Sequence, residues 1–127
     1  MRGDSGSIAP LVAGYLALIL LSILGSAAVG VSMIAVNRVQ AVADAVVLYA
    51  HDRAVTRGIP NHGLLLARSR EFLASAPSAQ RIGIVGVSVR VLGAISELEL
   101  CAEFQNPLNL GAIAVCRIAR AESFIVR

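Results

Sequence analysis

From Ile8 to Val36 the chain carries no charged side chain, and this run constrains the fold more than any other feature of the sequence. A bilayer core about 30 Å thick takes about 20 apolar residues as an α-helix, so the run is long enough to span it even with its ends among the headgroups. Its centre, Leu16-Ala17-Leu18-Ile19-Leu20-Leu21-Ser22-Ile23-Leu24, consists almost entirely of residues that insert favourably, and Ser22 can bond back to a helix carbonyl. A cleavable secretory signal is the competing reading, because Arg2 supplies a weak basic start and small residues stand around Ser26-Ala27-Ala28 and Ala28-Val29-Gly30. The apolar stretch nevertheless continues through Val29, Val31, Met33, Ile34 and Val36, beyond the ~7 to 15 residues of such a signal. A retained anchor is therefore expected: residues 1–7 as a leader-like segment, then 8–36 as a transmembrane helix in contact with membrane lipid.

Beyond Asn37 charges recur and the pattern becomes amphipathic. Val39, Val42, Ala43, Val46, Val47, Ala50 and Ala54 fall on one helical face, with Arg38, Asp44, His51, Asp52, Arg53 and Arg57 off it. The spacing predicts that the helix runs on to about Arg57, where Gly58-Ile59-Pro60-Asn61 stops it, so that 37–60 form an amphipathic extension. A second helix is expected from about Gly63 to Ser75, with Pro77 beyond its end. From Ile82 the period changes to two, Val85, Val87, Val89 and Val91 alternating with Gly86, Ser88 and Arg90. After a turn at Gly93, Leu98, Leu100, Ala102 and Phe104 alternate with Glu97, Glu99, Cys101 and Glu103. A loop over 105–111 then leads to a last strand near Ala112 to Arg120. The predicted class is α+β, with residues 61–127 forming a small domain built on a short helix and a three-stranded antiparallel sheet.

The two cysteines are too far apart in sequence for a CxxC metal or redox motif, which leaves a disulfide or two separate thiols. Register favours the disulfide. If Cys101 faces Cys116, then Phe104 meets Ile113, Ala102 meets Val115, Leu98 meets Ala119, and Glu97 meets Arg120 as a cross-strand ion pair. Only Leu100 against Arg117 is a poor match. Such a bridge requires an oxidising compartment.

Other chemistry is thinly represented. His51 and His62, the only histidines, have no third ligand at metal-binding spacing and read as surface residues. Glu97, Glu99 and Glu103 have the alternation of a solvated strand face rather than of catalytic carboxylates. No Gly-rich phosphate loop, nucleophile elbow or Cys/His pairing occurs, so neither enzyme nor cofactor nor metal site is expected. The 11 basic residues are all arginine and scattered, and the net charge is only +3. That pattern gives no stripe for nucleic acid. Gly14, Ser22, Ser26 and Gly30 line one stripe of the apolar helix, as small residues do where membrane helices pack closely, although they are also common in any alanine-rich span.

The segment Arg2-Gly3-Asp4-Ser5-Gly6-Ser7 leading directly into the apolar helix, followed by Asn37-Arg38-Val39-Gln40-Ala41-Val42-Ala43-Asp44, resembles the TadE/TadG-like minor pilins and pseudopilins of tight-adherence (Flp) pilus systems. In that family a basic residue, a glutamine and an Ala-Asp pair follow the membrane helix, corresponding here to Arg38, Gln40, Ala43 and Asp44. The resemblance implies processing after a glycine, with Gly6 as the candidate. Cutting there puts Leu11 at the fifth mature position, and cutting after Gly3 puts Ile8 there, where the family's peptidase substrates usually carry glutamate. It therefore implies a non-catalytic assembly or tip component rather than a major filament subunit. Such a protein is single-pass in the cell membrane, with its C-terminal domain outside the cytoplasm. Its partners are other pilin or pilus-assembly subunits in a hetero-oligomer. A bare positive-inside count opposes that orientation, since Arg38, Arg53 and Arg57 outweigh Arg2 set against Asp4. The alternative from another class is an extracellular binding module, secreted or anchored, whose signal is cut near Ala28.

Overall fold

The computed structural model describes residues 8–105 and 111–123. The fold is α+β: a long N-terminal apolar helix, a short second helix and a three-stranded antiparallel sheet. Helix α1 runs Ile8–Ala54; β1 (Val55–Thr56) and β2 (Ile59–Pro60) form a small hairpin; α2 spans His62–Ser75 and α3 Pro77–Gln80. The sheet consists of β3 (Gly83–Leu92), β4 (Ile95–Gln105) and β5 (Ala112–Glu122) in the order β3-β4-β5. The chain divides into two compact units, Met1–Met33 and Ile34–Arg127. In the first unit the described residues are helical, and their large apolar side chains, Leu16, Leu20, Ile23 and Leu24 among them, are exposed. By length and composition α1 is sufficient to cross a membrane, and nothing in its most apolar window is buried.

The second unit is built around the last turns of α1. Val39, Val42, Ala43, Val46, Val47, Ala50 and Ala54, the apolar face expected from periodicity, are all buried together with Leu65 of α2 and Leu98, Leu100 and Ala102 of β4. Three of these positions are alanine, which lets the helix backbone approach its neighbours closely. The helix ends three residues earlier than predicted. Arg57 (φ 57°) and Gly58 (φ 83°) both take positive φ, the backbone of a two-residue hairpin turn joining Thr56 to Ile59. The Asn61 N–H then donates to the Ala54 carbonyl at 3.0 Å, so residues 55–60 form a hairpin rather than a helix extension. Asn61 also begins α2, its side chain accepting from the Leu64 N–H at 3.1 Å. Pro77, rather than simply following α2, opens α3 at a first-turn position that suits proline.

The β4–β5 register is the one derived from the sequence: Cys101 faces Cys116, Phe104 faces Ile113, Ala102 faces Val115, Leu98 faces Ala119 and Glu97 faces Arg120. On β3 the alternation breaks once. The register shifts between Ile84 and Gly86, so Val85 occupies a bulge and is 60% exposed, while Ile84, Val87, Val89 and Val91 keep the core side. Gly83 is constrained by close approach, since a Cβ there would stand 2.8 Å from the Glu103 carbonyl oxygen.

Candidate functional site

Four features of the described residues bear on function. The first is the surface of α1 within the first unit. The Ser22 hydroxyl donates to the Leu18 carbonyl and the Ser26 hydroxyl to the Ser22 carbonyl, both at 2.8 Å, so neither hydroxyl requires water. Ser22 and Ser26 line a shallow hollow of about 470 Å³ with Tyr15, Leu18, Ile19 and Ile23. A Cβ added at Gly14 or Gly30 would meet nothing within 4 Å. Together the stripe presents a low, polar-satisfied track on an otherwise apolar helix.

The second feature is the helical segment that carries the resemblance. Ala43 is fully buried in the core, Arg38 and Asp44 are exposed, and the Gln40 amide donates to the Asp44 carboxylate at 2.8 Å, one turn on. Arg38 and Asp44 thus lie at the surface, Gln40 is half-buried and Ala43 belongs to the core. Gly6 lies outside the described residues. Arg38 also lines a hollow of about 280 Å³ with Ala41, Val42, Ser78, Arg81 and Ile82, an arrangement that periodicity alone could not show because it joins α1 to a segment some forty positions away.

Third, the Cys101 and Cys116 sulfurs are 2.03 Å apart, the disulfide distance, with Cα atoms 4.0 Å apart. Glu99 stands beside them, its carboxylate within 4.8 Å of both sulfurs. Sulfurs bonded to each other offer no thiolate pair to a metal, so this cluster is a cross-strand link rather than a ligand set. On the same side of the sheet the Arg120 guanidinium donates to Glu97 at 2.7 Å, and Glu97 is only 8% exposed. The expected solvated carboxylate row is solvated in part: Glu103 is exposed, Glu99 half-buried and Glu97 buried.

The fourth feature overturns an expectation. His51 is not a surface residue. It is 9% exposed, its Nδ1 lies 2.7 Å from the Ser96 hydroxyl and its Nε2 lies 2.8 Å from the Ser123 hydroxyl. Neutral imidazole donates through one nitrogen and accepts through the other, and the serine hydroxyls rotate to suit. The residue therefore ties α1 to the start of β4 and to the chain leaving β5. The Ser123 N–H adds a bond to the Ala94 carbonyl at 3.2 Å. The signal that could have revealed this lay in the helical spacing, for His51 follows Val47 by four residues on the rim of the buried face. His62, also expected at the surface, is exposed at the start of α2 and donates from Nε2 to the Val89 carbonyl at 3.2 Å.

A cluster at the edge of the core joins α1 to α2. Tyr49 packs on Phe72 with ring centroids 5.1 Å apart, and the Arg53 guanidinium carbon lies 3.8 Å from the centre of the Tyr49 ring. Arg68 donates to Glu71 at 2.6 Å. That hydrogen bond holds the Glu71 carboxyl below the ordinary carboxylate value and pushes Arg68 up.

Compared with protein-family models, with curated proteins and with solved structures, the chain matches none.

Proposed function

We propose that this protein is a non-catalytic, membrane-anchored assembly component, a TadE/TadG-like minor pilin or pseudopilin of a tight-adherence pilus or related secretion system. The observation that carries the reading is the change of character along α1. Its charge-free first part exposes large apolar side chains on all sides, and its last turns form the core of an α+β unit. A helix of this kind anchors or bundles through one end and displays a folded domain at the other. The resemblance in Arg38, Gln40, Ala43 and Asp44 supplies the family, and the disulfide-distance pair accords with a domain outside the cytoplasm. On this reading function resides in surfaces: lipid or neighbouring pilin helices along the stripe from Gly14 to Gly30, and partner subunits against the domain. Deleting the gene in its host is expected to remove or sharply reduce filaments of the tight-adherence type. Filament number and length unchanged by the deletion would contradict the assignment.

The extracellular binding module remains a second reading because the compact unit Ile34–Arg127 lies wholly beyond Ala28. The mature N-terminus separates the two: cleavage near Ala28 removes the span, whereas cleavage after Gly6, or none, keeps it.

A further inference from the structure

The hollow bounded by Arg38 and Arg81 has the composition of an anion site. Its walls come from two short segments of like spacing, Arg38, Ala41 and Val42 on α1, and Ser78 of α3 with Arg81 and Ile82 of the turn that follows it. Each segment contributes one guanidinium and one branched apolar side chain, and Ser78 adds a hydroxyl. No acidic residue lines the hollow. Among the described residues neither Arg38 nor Arg81 enters an ion pair, whereas Arg53, Arg68 and Arg120 each have a carboxylate partner. Two unneutralised cations lining one concavity repel each other, and a bound anion relieves that repulsion. Guanidinium is planar and bidentate and so suits a phosphate. The floor of Ala41, Val42 and Ile82 suits an apolar group attached to it.

We propose that this hollow binds the phosphate of an anionic membrane lipid, an inference that rests on the membrane-anchored reading above. Position selects the lipid over free phosphate: Arg38 is the first charged residue after the apolar run and stands on the same helix, two residues beyond Val36. A guanidinium there reaches the headgroup level when the run lies in the hydrocarbon. The apolar floor also has no use for a bare inorganic ion.

The test uses the purified full chain. Retention of phosphatidylglycerol and of phosphatidylcholine in mild detergent is read by native mass spectrometry for the wild type, for Arg38→Gln/Arg81→Gln and for the control Arg70→Gln/Arg90→Gln, whose exposed arginines on α2 and β3 do not line the hollow. Each basic side chain at an anionic surface strengthens binding about fivefold, so losing both arginines is expected to weaken phosphatidylglycerol binding roughly twenty-five-fold while the control pair changes it little. Phenylglyoxal modification of the wild type gives a readout independent of the variants: phosphatidylglycerol, and not phosphatidylcholine, should slow the reaction at Arg38 and Arg81. Equal retention by all three proteins overturns the proposal. Protection by inorganic phosphate alone, with no added effect of phosphatidylglycerol, overturns the lipid assignment in favour of a free anion. Insertion into vesicles is scored separately by carbonate washing. A chain that inserts but ignores phosphatidylglycerol overturns this site alone, and one that does not insert overturns the membrane reading and this site with it.

Discussion

At the scale of single residues, the second unit spends its polar groups on joining elements. Among the described residues no buried side-chain nitrogen or oxygen lacks a partner, and His51 shows what that satisfaction depends upon. Ser96 is fully buried, and the histidine is the bond partner observed for its hydroxyl. Replacing His51 by leucine strands that hydroxyl, at a cost of about 1–3 kcal/mol, and converting Ser96 to alanine in the same chain should recover much of it. Chemical denaturation of the two variants checks this; a double variant no more stable than His51→Leu would contradict it. The Arg68–Glu71 pair makes a different prediction, one of pH. Its hydrogen bond lowers the Glu71 pKa on folding, so its stabilisation is complete above the unfolded carboxylate value of 4.5 and disappears as pH falls through the lowered folded value. The melting-temperature difference between wild type and Glu71→Gln should therefore be small and positive at neutral pH, because both side chains are solvated, and should vanish in acid. A difference that grows on acidification would give the pair the wrong sign.

At the scale of elements, what could be read in advance was whatever rests on a repeating period. The seven-residue face Val39 to Ala54 and the β4–β5 register are period signals, and both stand in the structure as expected from the sequence. The departures are local backbone events invisible to periodicity. The Arg57-Gly58 turn stops α1 early because two positive φ values form a hairpin, and the bulge at Val85 turns one valine of an alternating series outward. His51 was missed because it lies on the boundary of the buried face, where helical phase alone does not decide burial. The hollow at Arg38 and Arg81 required tertiary placement to be seen at all. The β4–β5 link supports a prediction at this scale. With a sequence separation of 15 between the cysteines, the bridge restricts the unfolded chain by about 3 kcal/mol in the chain-entropy model. Cys101→Ser/Cys116→Ser should lose about that much stability in denaturant titrations. Non-reduced peptides of natively expressed wild type should carry the 101–116 link; two free, alkylatable thiols in that material would remove the bridge and with it the argument for an oxidising compartment.

At the scale of the whole molecule, α1 has two kinds of surface. The second unit explains the last turns of the helix, because Val39 to Ala54 find partners there. Among the described residues nothing in the first unit covers Leu11, Leu16, Leu20 or Leu24, and a soluble chain would leave this surface to aggregate. Lipid, or other apolar helices within it, removes the difficulty. The resemblance to pilin-like proteins, the stripe from Gly14 to Gly30 and the site at Arg38 and Arg81 all presuppose that placement. Sodium carbonate extraction of membranes from cells expressing the full chain tests it most directly, since alkaline washing strips peripheral proteins and leaves spanning helices behind. The chain should stay in the membrane pellet and be released only by detergent, because about 20 apolar residues in hydrocarbon far outweigh one distant charge at Arg2. Full-length chain in the carbonate supernatant would contradict it.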